Sequence, residues 1–243
     1  MTQEELKNAL GLHKKWLSNK PDGVRLDLRR ADLSGLDLRW ANLNDADLMF
    51  ADLSSSNLSG VDLSRTNLRH ANLSHANLSG SKLRRTDLSH ADLSYSNLRS
   101  SNFSVAILSV ADLSHADLSG SSLRRANLTC SILRHSDLSG ANLRSADLSW
   151  ANLNDANLNG ADLRWANTIN TTGLDVICVQ LNTSDKNRQI QYYVQLEKVT
   201  AGCFRGTLDE LKKAVDENHD KDSVIYKRYQ IAFKTIEDIL ETY

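Results

Sequence analysis

Proline is almost absent from this chain. Pro21 is the one instance in 243 residues, and aromatic residues make up 6%. Leucine dominates the apolar residues instead, and regular leucines that can be buried argue against disorder. No apolar run approaches the roughly 18–20 residues that a membrane span needs. The start, MTQEELKNALGLHKKWL, places acids early and lacks the apolar stretch of a secretory leader. These absences lead to the expectation of a soluble, unexported protein. Three cysteines, Cys130, Cys178 and Cys203, are far apart and odd in number. They offer neither metal spacing nor a disulfide framework, which points to a reducing cytoplasm. An excess of one charge is also missing, with 29 Lys and Arg against 30 Asp and Glu. Bulk charge thus argues for neither a nucleic-acid binder nor a DNA mimic, and only its distribution can inform.

What is present is a repeat. From Leu26 to Trp165 the unit A-[DN]-L-x-x recurs twenty-eight times without insertion or deletion. The centre, stepping by five from Leu28 to Leu163, is leucine everywhere except Phe103. Two positions earlier sits Ala, Ser or Thr in most units, with Leu26, Leu36 and Val61 as larger exceptions. The intervening position is Asp or Asn in 24 of the 28 units; Lys82, Ile107, Ser122 and Ile132 depart. A period of five fits neither a helix nor a plain strand. Leucine every fifth residue on one interior surface requires a turn between units. Gly60, Gly80, Gly120, Gly140 and Gly160 recur at multiples of twenty, with Ser100 as the gap, so four units make one square coil.

This pattern resembles the pentapeptide-repeat family over 140 residues (28 × 5). The resemblance implies a β-solenoid, a right-handed quadrilateral β-helix of about seven coils, with the central residue and the preceding small one pointing inward. A buried central leucine is worth about 1.5–3 kcal/mol. Asp or Asn beside it would point outward and suit tight-turn hydrogen bonds. The segments HKKWLSNKPDGVRLDL and VTAGCFRGTLDEL look similar to the flanks of bacterial and phage members of the family.

Three regions follow: residues 1–25 as a capping helix and turn, 26–168 as the β-helix, and 169–243 as a small C-terminal α+β appendage. Residues 2–18 predict an amphipathic helix with Leu6, Leu10, His13 and Leu17 on one face, opened by a Thr2/Glu5 capping box and closed at Pro21-Asp22-Gly23. After Trp165 the leucine fails. Residues 175–181 and 189–198 read as strands around a polar loop, NTSDKNR. Gly202 and Gly206 flank a second turn. Thr207 and Glu210 predict a capping box opening a helix to about Asn218. A last helix over 223–240 would carry Ile225, Tyr229, Ala232, Ile236 and Leu240 on one face.

Enzyme chemistry is not expected. Acids decorate a convex surface and leucine fills the interior, which leaves no cleft to desolvate a carboxylate. No catalytic, cofactor or metal residues are assigned. His75, His115 and His135 share a corner column, with Tyr95 on the missing rung. Two imidazoles one coil apart could share a metal, but a closed zinc site wants four ligands.

Charge sorts by wall. Let walls one to four be those centred on Leu28, Leu33, Leu38 and Leu43. Wall four carries Arg65, Lys82, Arg84, Arg85, Arg124, Arg125, Arg144 and Arg164 against Asp45, Asp62 and Asp162. Wall two opposes it with Asp32, Asp52, Asp92, Asp112 and Asp155 against Arg134. The basic wall is a candidate partner-binding surface for an acidic protein or a phosphate backbone. A second candidate is an apolar corner: Phe50, Val110, Cys130 and Trp150, with Val105 and Ile107 close by. Trp40 and Trp165, also at corners, are expected to stack on the end elements. The function expected is a non-enzymatic interaction module that binds another macromolecule, with a protein as the partner. Nucleic acid is the weaker partner, a membrane is not expected, and the appendage offers a route to a homodimer. The alternative is a DNA-mimicking modulator of DNA gyrase or topoisomerase, as the resemblance to quinolone-resistance members implies. A basic face counts against it.

Overall fold

The computed structural model describes residues 3–39, 41–173, 176–183, 186–194, 198–201 and 204–242. The chain forms two compact units, Met1–Gly173 and Leu174–Tyr243. Thr2 and Trp40, and with them the first capping box and one corner stack, lie outside the described residues, as do Gly202 and Cys203.

In the first unit, residues twenty apart are joined by parallel bridges, from Asp27 with Asp47 through to Asn152 with Thr172. Four five-residue units therefore close one coil, as the glycine spacing predicts. The ladder carries on to Thr172, beyond residue 168. Each unit contributes a single bridge residue because the chain turns every five residues, too soon for a long strand.

One unit shows why the repeat has its composition. The Ala51 N–H donates to Leu48 O (3.0 Å), Asp52 N–H to Ala31 O (2.9 Å), Leu53 N–H to Asn72 O (2.7 Å) and Ser55 N–H to Ser74 O (3.0 Å). The remaining donor, Ser54 N–H, is taken by the Asp52 side chain, Oδ1, at 2.9 Å. All five backbone donors are satisfied, as a closely stacked backbone requires. The outward Asp or Asn is thus an acceptor for the turn, an Asx arrangement. The second corner residue is left-handed: Ser55 has φ 57° and Gly120 φ 64°. That marks a type II turn, which favours glycine or asparagine there. The column nevertheless includes Val105, Val110 and Trp150 at φ 60–64°.

The interior is a leucine stack. Central side chains from Leu33 to Leu153, Phe103 included, are buried almost completely, with Ala, Ser or Thr beside them. Several of these hydroxyls donate to main-chain carbonyls, as Ser56 does to Leu53 O (2.6 Å) and Thr66 to Leu43 O (2.7 Å).

Helix α1, Gln3–Leu17, covers the first coil. Leu6 and His13 are buried, and Leu10, Trp16 and Leu17 half-buried, on the face the spacing predicts. The Leu26 N–H donates to His13 Nδ1 (3.1 Å), so the proton sits on Nε2, which donates to Asn44 O (2.9 Å). At Gly23 the returning chain passes so near the helix that a Cβ would lie 2.4 Å from Trp16 N.

The second unit is an antiparallel four-stranded meander, β1 (Val176–Thr183), β2 (Lys186–Tyr193), β3 (Lys198–Ala201) and β4 (Phe204–Gly206), followed by helices α2 (Leu208–Asn218) and α3 (Val224–Leu240). The polar segment read as a loop is mostly strand: Asn182 pairs with Asn187 and Thr183 with Lys186. Pairing register extends the hairpin past its apolar part. The stretch 189–198 is not one strand, since β2 ends at Tyr193 and β3 begins at Lys198. Gly206 closes β4. The Thr207–Glu210 capping box forms as predicted. On α3, Tyr229, Ala232, Phe233 and Ile236 enter a core with Ile190, Val199, Leu211 and Val215, whereas Ile225 is exposed. At that turn Tyr226, not Ile225, packs against the core, and Phe233 joins it two turns later.

Candidate interaction surfaces

The eight basic residues of wall four do not act alike. Arg65 forms two bonds to the Asp45 carboxylate, one rung away, at 2.7 and 2.5 Å. That contact, with Arg25 adding charge, holds the Asp45 carboxyl below the usual range. Arg164 is clamped on Asp162 at 2.6–3.2 Å. Arg144 lies over the Trp165 ring at 4.7 Å, and Lys82 stands 4.0 Å from Asp62. Arg84, Arg85, Arg124 and Arg125 are exposed, and their side chains make no hydrogen bond or ion pair among the described residues.

Side chains twenty residues apart stand on neighbouring rungs, about 4.8 Å apart. The basic pairs 84–85 and 124–125 are separated by the neutral rung Ser104–Val105, while on the outer side Arg85 stands one rung from Arg65 and Arg124 one rung from Arg144. The Ser104 and Ser122 hydroxyls are 3.0 Å apart.

The four departures from Asp or Asn have a consequence that composition did not reveal. In every unit that keeps Asp or Asn, the side chain accepts the N–H two residues on, as Asn102 does for Ser104 (3.0 Å) and Asn142 for Arg144 (3.2 Å). Lys82, Ile107, Ser122 and Ile132 have no such acceptor. The N–H groups of Arg84, Ser109, Arg124 and Arg134 accordingly have no partner among the described residues. Two of the four belong to the unpaired arginine pairs.

The apolar candidates are at the surface. Phe50, Val105, Ile107, Val110, Cys130 and Trp150 are all exposed, Trp150 by 64%. Val105, Ile107 and Val110 lie along one coil, so the strip runs across the axis from the arginine corner. Phe50 stands in the same corner column as Val110, Cys130 and Trp150, three rungs from Val110: its ring stacks on His70 at 4.9 Å, and His70 on His90 at 4.8 Å. Arg30 lies over Phe50 at 5.4 Å. A parallel ladder runs His75, Tyr95, His115, His135 with ring centres 4.6–5.1 Å apart. Identical left-handed corners one rung apart force these rings face to face. Their stacking was not read from the sequence, although the spacing of the columns could have shown it. His135 Nδ1 stands 3.6 Å from Asp155.

Among the described residues no group of three or more His, Cys, Asp or Glu side chains is placed to hold a metal. No described helix is long and apolar enough to cross a membrane. In the second unit a depression of about 960 Å³ between α2 and α3 includes Lys212, Phe233, Lys234 and Glu237. Lys212 and Glu237 pair there. Val224, Ile225 and Ile231 of α3 are exposed.

A family model described as pentapeptide repeats matches in eight copies over residues 24–48, 46–85, 66–104, 106–144 and 131–167. No curated protein matches. Among solved structures, this chain is similar to HetL, a pentapeptide repeat protein involved in heterocyst differentiation regulation from the cyanobacterium Nostoc sp. strain PCC 7120. Identity is 30%, covering 63% of this chain and 92% of that one, with a TM-score of 0.30. Rfr23 from the cyanobacterium Cyanothece 51142 is 23% identical, covering 69% and 98%, with a TM-score of 0.21. QnrB1, a plasmid-mediated fluoroquinolone resistance protein, is 16% identical, covering 61% and 83%, with a TM-score of 0.42.

Proposed function

The chain belongs to the pentapeptide-repeat family, and from that premise we propose that its solenoid is a non-enzymatic interaction module that binds another protein in the cytoplasm. We take the coils to wind right-handed, as the family resemblance implies. The observation that carries the reading is the contrast within wall four. Arg65, Arg144 and Arg164 are engaged by neighbours, whereas the side chains of Arg84, Arg85, Arg124 and Arg125, around the exposed Val105, have no partner among the described residues. Surface arginines normally lose little by pairing with a nearby acid. Four unpaired ones beside an apolar strip have the composition of a protein interface, where arginine is enriched and charge surrounds an apolar centre.

The test is affinity capture from native cells with the wild-type chain and with Arg84, Arg85, Arg124 and Arg125 changed to Glu. A partner retained by the first and lost by the second supports the reading. Equal capture removes wall four from it. A competing reading, a DNA mimic acting on a topoisomerase, draws on Asp52, Asp92 and Asp112 of wall two. Their inner carboxylate oxygens are already bonded to turn N–H groups. Gyrase supercoiling measured with micromolar protein decides that case, and no effect would remove it.

A further inference from the structure

The two missing side-chain acceptors on wall four have a shared geometry. Lys82 and Ser122 occupy equivalent positions two coils apart, and each precedes a pair of unpaired arginines. We propose that the Arg84 and Arg124 N–H groups, with the guanidinium groups beside them, form two sockets for carboxylates of an acidic helical segment in the partner. The proposal rests on wall four being the binding surface.

Each socket is shaped by what normally fills it. Elsewhere on wall four the same N–H is bonded by Asn42, Asp62, Asn102, Asn142 or Asp162 at 3.0–3.2 Å. A carboxylate or amide oxygen is therefore the group this position accepts. At Lys82 the side chain is a cation, which cannot accept. The Ser122 hydroxyl is engaged with Ser104. The nearby acids do not substitute: Asp62, one rung away, serves the Ser64 N–H and Lys82, and Asp87, in the next unit of the same coil, serves the Ser89 N–H and hydroxyl. An incoming carboxylate would supply in trans the acceptor that twenty-four units supply from within. It would meet a backbone donor and guanidinium donors together, and such charge-assisted bonds are the stronger kind.

Spacing selects the form of the ligand. Two coils separate the sockets by about 9.6 Å. A helix places residues i and i+7 about 10.5 Å apart along its axis, with i+3 or i+4 midway on the same face. Acid, apolar, acid on such a helix matches Arg84–Arg85, Val105, Arg124–Arg125. A second copy of this chain does not fit. A two-fold axis through Val105 would set Arg85 of one copy against Arg125 of the other, and an isologous contact cannot avoid that pairing.

The probe is a helix-stabilised peptide with Glu at two positions seven apart and Leu four after the first, titrated onto the full chain by fluorescence anisotropy. Ser122→Asn changes no charge and restores the internal acceptor. It should weaken binding roughly tenfold, as should Lys82→Asn, while a peptide with Gln in place of both Glu should fail to bind. Ile132→Asn, which caps the Arg134 N–H on wall two, should leave affinity unchanged. Asn occupies this column at Asn42, Asn102 and Asn142, so the variants are compatible with the fold, and circular dichroism checks it. If Ser122→Asn and Lys82→Asn bind as wild type while the four-arginine reversal abolishes binding, the sockets are wrong and the basic surface stands. If the reversal also has no effect, both fall. Tighter binding of a short DNA duplex than of the peptide, with the same sensitivity to Ser122→Asn, would overturn the acidic helix in favour of phosphate.

Discussion

The backbone N–H of Leu26 donates to Nδ1 of His13 across 3.1 Å, joining the entry of the first coil to the helix that covers it. The bond requires a neutral imidazole with its proton on Nε2. Burial pushes the His13 pKa below its ordinary value of 6.5, although the Asn44 carbonyl and Asp45 act the other way. A lowered folded pKa means that the unfolded chain binds the proton more readily. The contribution is complete above pH 6.5 and is lost as pH falls below it toward the folded value. Amide exchange in α1, corrected for its intrinsic pH dependence, should therefore accelerate between pH 7 and 5. His13→Gln should flatten that response, and an unchanged profile would remove His13 as the cause.

Gly23 and Gly173 are required by space. A Cβ on Gly23 would sit 2.4 Å from Trp16 N, and one on Gly173 2.3 Å from Asn154 N. Both obstacles are backbone atoms, which cannot swing aside. Gly23→Ala and Gly173→Ala should each destabilise the first unit toward the upper end of the roughly 1–3 kcal/mol typical of overpacking. Thermal unfolding followed by circular dichroism measures it. Gly173 adds a left-handed φ of 76°, so its substitution should be the costlier.

Val110 holds φ 60° at an exposed corner, where a β-branched residue is strained. Asparagine tolerates that conformation. Val110→Asn should stabilise the solenoid by about 1 kcal/mol. Urea denaturation reads the change, and a lower midpoint would show that packing of the valine outweighs the relief.

Ile107 and Ile132 leave the Ser109 and Arg134 N–H groups without the usual acceptor. Asparagine at either position should restore it and raise stability by about 1 kcal/mol per site. The gain should appear in the denaturation midpoint whether or not the apolar strip binds a partner, which separates stability from function at Ile107.

Much of the fold follows from local pattern. Leucine at every fifth position, glycine at every twentieth and the Thr207–Glu210 pair each act within a few residues, so the coil length, interior and start of α2 were readable. Pairing between distant residues was not. Asn182 and Lys186 are strand residues because the hairpin register carries them along, against their own preference for turns. Tyr226 rather than Ile225 faces inward on the first turn of α3 because the sheet decides which side of the helix is covered. Counting charge identified wall four, but Asp45 and Asp162 neutralise some of its arginines through contacts between and within rungs. That the outward Asp and Asn would serve tight-turn hydrogen bonds was readable from their type. That Lys82 and Ser122 leave the Arg84 and Arg124 N–H groups without that acceptor among the described residues was not.

Because four units close a coil, the gene encoding this solenoid carries a frame of twenty as well as a frame of three. Duplicating twenty residues would lengthen the stack and leave each column continuous. Duplicating five would still fold, leucine over leucine, yet would move everything downstream by one wall. An insertion of five residues between Arg85 and Arg124 would put the two arginine pairs on adjacent faces, and no single straight ligand could then reach both. Length can change in this architecture by whole coils without penalty, while its surface is addressed in steps of twenty.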